Sequence, residues 1–173
     1  MRIVLETPRL FLREMTFNDL DFLAEMYGDA EVMRYYPKPL NRKEAEESIE
    51  KNIARYQQHG FGMWLVLLKA NALPIGRVGL VRQQIDGQAE DEIGYMIHRP
   101  YWQQGFAREA ACGVRRYAQG TLGKTRVISL IRPINIPSQR TALSIGLKPE
   151  KITMFANLEH LLFSINNMGS IEA

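Results

Sequence analysis

Glu92-Ile93-Gly94-Tyr95-Met96-Ile97 and, after His98 to Trp102, Gln103-Gln104-Gly105-Phe106-Ala107-Arg108-Glu109-Ala110 decide how this chain is read. The first segment reads as a β-strand, the second as a glycine turn opening directly into a helix. A helix start exposes backbone N–H groups with no intrahelical partner and lies at the positive end of the helix dipole. The junction therefore predicts a seat for an anion such as phosphate, with no charged side chain required. Gly105 lets the backbone come close to a ligand, and Ala107 adds little bulk beside it.

Working outward, Arg9 to Arg13 alternates apolar and polar residues after Pro8, as a half-buried strand does. Leu20, Phe22, Leu23, Met26 and Tyr27 recur at helical spacing between Asn18 and Tyr27, and Gly28 stops that helix. Pro37 and Pro39 leave Tyr35 and Tyr36 in a loop. Asn41 with Glu44 forms a capping-box start for a helix that carries Ala45, Ile49, Ile53 and Tyr56 on one stripe and ends at Gly60. Met63 to Leu68 is almost wholly apolar, as a strand covered on both faces is. Ile75 to Val81 is the next strand, and Gln83 to Ala89 is expected as a polar turn around Asp86-Gly87. The helix after Gly105 runs to about Gln119, a strand follows at Val127 to Ile131, and Asn135-Ile136-Pro137-Ser138 opens a helix that ends at Gly146. Two last strands lie around Lys151 to Phe155 and Leu158 to Ile165. Strands before, between and after helices predict a mixed α/β fold in a single domain over residues 1–173, without internal repeat or linker.

Composition narrows the function classes. At 173 residues, 46% hydrophobic and 24% charged, the chain is long enough to bury a sizeable core. No apolar run approaches bilayer length, and the N-terminus lacks a signal-peptide pattern, so a cytoplasmic location and no membrane partner are expected. Net charge is +3 with a pI near 9.1. The basic residues are dispersed, no cluster being longer than a pair such as Arg115-Arg116, which argues against a nucleic-acid partner. A coenzyme carrying several phosphates suits such a chain. The single Cys112 forms no internal disulfide and reads as a small helix-face residue. His59, His98 and His160 have no metal-ligand spacing with one another or with a carboxylate pair, so no metal is expected.

With these residues in hand, the chain resembles the GNAT acyltransferases, and among them the RimJ/RimL-type N-acetyltransferases. The likeness begins at Thr7-Pro8-Arg9-Leu10-x-Leu12-Arg13 with Asp19 and passes through Ile75-Gly76 and Glu92-Ile93-Gly94-Tyr95. It continues in Tyr101-Trp102-x-x-Gly105-x-Ala107-x-Glu109-Ala110 and closes with Asn135-x-x-Ser138 and Gly146-Leu147. It implies the GNAT fold: a mostly antiparallel twisted sheet of about seven strands flanked by about four helices, splayed between the fourth and fifth strands. It also implies acetyl-CoA as cosubstrate, an amine acceptor that is a small molecule or a protein N-terminus, and a monomer or homodimer. By the same likeness Gln103, Gln104, Gly105, Phe106, Ala107 and Arg108 hold the pyrophosphate. Ile97 contacts the pantetheine arm through its backbone, Asn135 contacts it from the other side, and Tyr35 and Tyr36 line the acceptor pocket. Trp102 stands where the family's general turn has Arg or Gln, Leu147 where Phe is usual, and Ala142 where many members have a tyrosine acid.

Acetyl transfer to an amine needs a neutral nucleophile, a stabilised oxyanion and a proton for the departing thiolate. Glu92 is the first candidate for base, with Asp91, His98 or a water relay as alternatives. Alternation puts Glu92 with Gly94 and Met96 on one face and Asp91 with Ile93, Tyr95 and Ile97 on the other, an assignment that a bulge would reverse. The bland alternative for Glu92 is a surface or loop-pairing carboxylate. Ser138 is the candidate acid, or else a helix cap. A CoA-binding domain of the same fold without turnover is the competing reading.

Overall fold

Asp86 and Gly87 both hold positive φ, 49° and 77°, the backbone of a type I′ turn whose twist matches that of two antiparallel strands. They join β4 (Pro74–Ile85) to β5 (Gln88–Ile97), which pair without a register shift from Ile85↔Gln88 to Gly76↔Ile97. The polar stretch around this turn is thus strand rather than loop. Its outward side chains are polar, while Ile85 is buried against Ile128 and Leu162. A Cβ on Gly76 would stand 2.4 Å from the Met96 carbonyl oxygen, so glycine there lets β4 press against the last residues of β5.

The computed structural model describes residues 2–166. Around this hairpin it builds one eight-stranded sheet in the order β1-β2-β3-β4-β5-β6-β8-β7. The further strands are β1 (Ile3–Glu6), β2 (Leu10–Arg13), β3 (Met63–Leu68), β6 (Val127–Ile131), β7 (Lys148–Phe155) and β8 (Leu158–Ile165). The strand beyond the seven expected is β1, which pairs with β2 across a register shift. Its short Ile-Val-Leu run has no alternation to announce a strand. Every neighbouring pair is antiparallel except β5 and β6, which are parallel and in register at the single pair Glu92↔Ile128. The sheet splays there, between the fourth and fifth of the strands expected from sequence.

Period-two alternation sorts β5 between two cores. Ile93 and Ile97 pack with Phe106, Ala110, Ala111 and Val114 of α3 (Phe106–Gly120). Met96 packs on the other face with Leu23, Met26 and Tyr27 of α1 (Leu20–Gly28) and Ile49 of α2 (Arg42–His59). The capping box of α2 forms as expected: Asn41 Oδ1 accepts from the Glu44 N–H at 3.0 Å, and the Glu44 carboxylate from the Asn41 N–H at 2.9 Å. Ala110, Ala111, Val114 and Ala118 are fully buried. These small side chains seat α3 close to the sheet and bring its N-terminus to the end of β5. The last helix, α4 (Ile136–Ser144), starts beside that point.

Candidate active site

Backbone geometry exposes one edge of β5. The His98 N–H donates to the Ile75 carbonyl at 2.8 Å, so the facing pair Gly76↔Ile97 is a non-hydrogen-bonded one. The N–H and C=O groups of Ile93, Tyr95 and Ile97 then point away from β4, toward β6. At Ile93, where the strands begin to part, the Ser129 hydroxyl of β6 donates to the carbonyl at 2.8 Å and replaces a ladder bond. At Ile97 the Trp102 indole N–H donates to the carbonyl at 2.6 Å, which leaves the Ile97 N–H facing the gap. Trp102, the departure from the family's usual turn, therefore ties the turn to β5.

The turn itself is wound through left-handed backbone at Gln103 (φ 60°) and Gly105 (φ 80°). For Gln103 that conformation costs about 1–2 kcal/mol, held in place by its surroundings. Gly105 is the N-cap of α3 and brings no side-chain cap. The first intrahelical bond runs from the Glu109 N–H to the Gly105 carbonyl at 3.0 Å, so the N–H groups of Gly105, Phe106, Ala107 and Arg108 have no helical acceptor. Behind the turn, Glu109 accepts from the Thr7 hydroxyl at 2.6 Å, the Arg9 backbone at 2.8 Å and Arg9 Nε at 2.6 Å. Burial works against its charge, yet these bonds from Thr7 and Arg9 hold its carboxyl below the ordinary range. Arg9 also donates to the Gln104 carbonyl at 3.1 Å and lies 4.4 Å over the Phe106 ring. Thr7 and Arg9, far from Glu109 in sequence, thus form with it one clamp on this turn that no local pattern announces.

A cavity of about 460 Å³ opens between the turn, the end of β5, the start of α4 and the loop before Pro37. It brings together Tyr35, Tyr36, Ile97, Gln103, Gly105, Phe106, Ala107, Arg108, Asn135 and Ser138. Tyr95, Arg34 and Arg140 also line it, residues to which the sequence pattern assigns no site role. Gln104 stays outside the lining, its side chain donating to the Pro100 carbonyl at 3.2 Å. Asn135 Oδ1 accepts the Ser138 N–H at 3.2 Å, so Asn135 rather than Ser138 caps α4. The Ser138 carbonyl takes the Tyr95 hydroxyl at 2.6 Å, and its own hydroxyl has no partner among the described residues. Burial pushes the Tyr95 phenol up, so it stays protonated. Ala142 is fully buried in the core.

Glu92 lies outside the cavity lining. With no bulge in β5, it shares the face of Met96, beneath α1 and α2. Its carboxylate accepts from Gln83 Nε2 at 2.9 Å and from the Leu130 N–H of β6, and so bridges the point where the sheet parts. Burial pushes this carboxyl up, opposed by the two hydrogen bonds and by the charges of Arg77 and Arg55. Asp91 faces the other way, paired with Arg82 at 2.6 Å and Lys124 at 3.0 Å. His98 sits 3.7 Å from Glu25 and edge-on to Phe22. Among the described residues no His, Cys, Asp or Glu group is arranged to hold a metal ion, and no helix is long and apolar enough to cross a membrane.

Comparison with known proteins agrees with this geometry. YkkB of Bacillus subtilis (strain 168) is 32% identical over 148 residues, spanning 85% of this chain and 86% of YkkB. YnaD of the same organism, an uncharacterized N-acetyltransferase, is 30% identical over 145 residues, 83% of this chain and 82% of its own. The structure of RimL, a ribosomal L7/L12 alpha-N-protein acetyltransferase in complex with coenzyme A, shares the fold with a TM-score of 0.78. That likeness extends over 95% of this chain and 98% of RimL at 16% identity. Residues 9–148 match the family described as the acetyltransferase (GNAT) domain, and the chain belongs to that family of acetyltransferases.

Proposed function

We propose that the chain is an N-acetyltransferase that moves the acetyl group of acetyl-CoA to a primary amine, of a small molecule or a protein N-terminus, by direct attack on the thioester. The observation that carries this reading is the run of free N–H groups from Gly105 to Arg108 at the mouth of a cavity that ends on the open edge of β5. Those amides suit a diphosphate, and the Arg108 and Arg140 side chains at the same cavity suit its charge. The Ile97 N–H and the Asn135 side-chain amide suit the two sides of the amide-bearing pantetheine arm.

Acetyl-CoA supplies the thioester; the protein's residues manage position and protons. Glu92, directly or through water, takes a proton from the ammonium form of the acceptor, leaving a neutral amine whose nitrogen bonds to the acetyl carbon. As the carbon–sulfur bond breaks, the nitrogen gives up its second proton, which passes through the Ser138 hydroxyl or a water beside it to the thiolate. Tyr95 stays neutral and holds Ser138 through its carbonyl. No bond to the enzyme forms, so no residue need act as a nucleophile.

Calorimetry with acetyl-CoA tests the coenzyme seat, and thiol release with a panel of amines tests the transfer. Saturable binding with turnover is expected; absence of any binding by CoA or acetyl-CoA would overturn the reading. The buried Ala142, in place of a tyrosine acid, favours a second reading, a CoA-binding domain without turnover. Tight binding with no thiol release on any amine would establish that one instead.

A further inference from the structure

On the face of the sheet beneath α1 and α2, the enclosed guanidinium of Arg77 and the half-buried one of Arg55 have no ion-pair partner among the described residues. Arg77 of β4 stands opposite Met96, on the same face as Glu92. Its guanidinium lies 5.0 Å from the Tyr27 ring, and the Tyr36 hydroxyl rests against it. Tyr36 and Met96 line the cavity, so Arg77 stands directly behind the cavity wall. Tyr27 is 1% exposed, and among the described residues neither its hydroxyl nor Arg77 Nε has a hydrogen-bond partner. Arg55 of α2 reaches the same space, close enough to sense both Arg77 and Glu92. Among the described residues neither arginine forms an ion pair.

Glu92 is the carboxyl near both arginines, and it is already engaged by Gln83 and Leu130. The enclosed space thus holds more positive charge than negative. Buried charges are costly unless paired, and a ligand that brings the missing anion removes that cost. A purely architectural role, Arg77 stacking on Tyr27 to hold α1, accounts for the ring contact alone. It leaves the Arg77 Nε and the Tyr27 hydroxyl unexplained.

We propose that the acceptor is a small amine bearing its own carboxylate, received by Arg77 and Arg55 while the amine faces Glu92. The inference rests on the acetyl-transfer reading and deepens it. A free amino acid has this chemistry. A polyamine brings only further positive charge to a site that already has a surplus, and the cover of α1 and α2 suits a short acceptor over a polypeptide.

The test compares kcat/KM for thiol release on free amino acids, on their α-carboxamides, on a polyamine and on a peptide amine, with the purified full chain. Amino acids should exceed their carboxamides by roughly 10- to 100-fold, the value of a charge-assisted hydrogen bond. In Arg77→Met that ratio should collapse toward one. The wild-type ratio decides the matter even if that variant folds poorly, and Arg55→Met provides a second probe. Equal rates on acid and amide, or acetylation confined to polyamine or peptide amines, would overturn this inference while leaving acetyl transfer intact. Acetyl-CoA binding without turnover on any amine would instead sink the transfer reading, and this inference with it.

Discussion

At the scale of single residues, Glu92 carries opposing demands. Its carboxylate is the acceptor that Gln83 and the Leu130 N–H require, yet burial favours the protonated form. A raised proton affinity brings a general base closer to its working pH. The acidic limb of the kcat/KM profile should therefore lie above the ordinary glutamate value of about 4.3. Glu92→Gln should lower kcat by roughly 10²- to 10⁴-fold with acetyl-CoA affinity kept; an unaltered rate across the pH range would remove it as base. The stability sign follows from linkage. A carboxyl whose folded pKa is raised contributes its full stability below the unfolded pKa and loses it as pH rises through the folded one. Glu92→Gln should thus match or exceed wild type in Tm at neutral pH and lose that advantage in acid. A variant less stable than wild type at neutral pH, with the deficit shrinking in acid, would show that the charge is needed to hold β5 to β6.

At the scale of elements, the turn before α3 depends on a segment about a hundred residues away in sequence. Arg9 is half exposed, so its ion pair with Glu109 adds little to stability, about 0–1 kcal/mol. Its larger effect is on shape, because the same guanidinium holds the Gln104 carbonyl and covers Phe106. Arg9→Met should weaken acetyl-CoA binding roughly tenfold, about 1.4 kcal/mol, with a small change in Tm. Arg9→Lys keeps the charge without the fork and should recover little. Unchanged affinity in calorimetry would mean that the turn holds its left-handed residues unaided. What the sequence made legible were elements whose signals are local. Asn41 with Glu44 and the terminal Gly60 marked both ends of α2, and the apolar run Met63–Leu68 marked β3. The polar hairpin arms around Asp86-Gly87 looked like loop because they reach past the core. The Arg9 clamp, the pairing of Tyr95 with Ser138 and the meeting of Arg77 with Tyr27 join residues distant in sequence, so no local pattern announces them.

At the scale of the whole molecule, the sheet is two units joined at one end. Beyond the single pair Glu92↔Ile128, the hairpin of β4 and β5 is tied to the other unit by side chains. Arg126 bonds Glu90 at 2.9 Å and Glu150 at 2.9 Å, and Lys151 bonds Asp86 at 2.6 Å. At the opposite end, past Ser129, β5 and β6 diverge around the cavity. A ligand seated between them touches β5, the start of α3 and the start of α4 together, and joins units that the backbone leaves apart. Binding to the folded state alone should then stabilise the protein by about 2.7 kcal/mol at a hundredfold excess over Kd. The pattern of that gain is the sharper test. Amide hydrogen exchange should slow most at Tyr95, Ile97 and Gly105 to Arg108, less at the hairpin of β4 and β5, and least in β7, an edge strand with Ile152 and Met154 exposed. Uniform slowing across all eight strands would mean that the ligand acts only through global unfolding. No slowing at Gly105 to Arg108, with a raised Tm, would place the ligand elsewhere and remove the α3 N-terminus as the coenzyme seat.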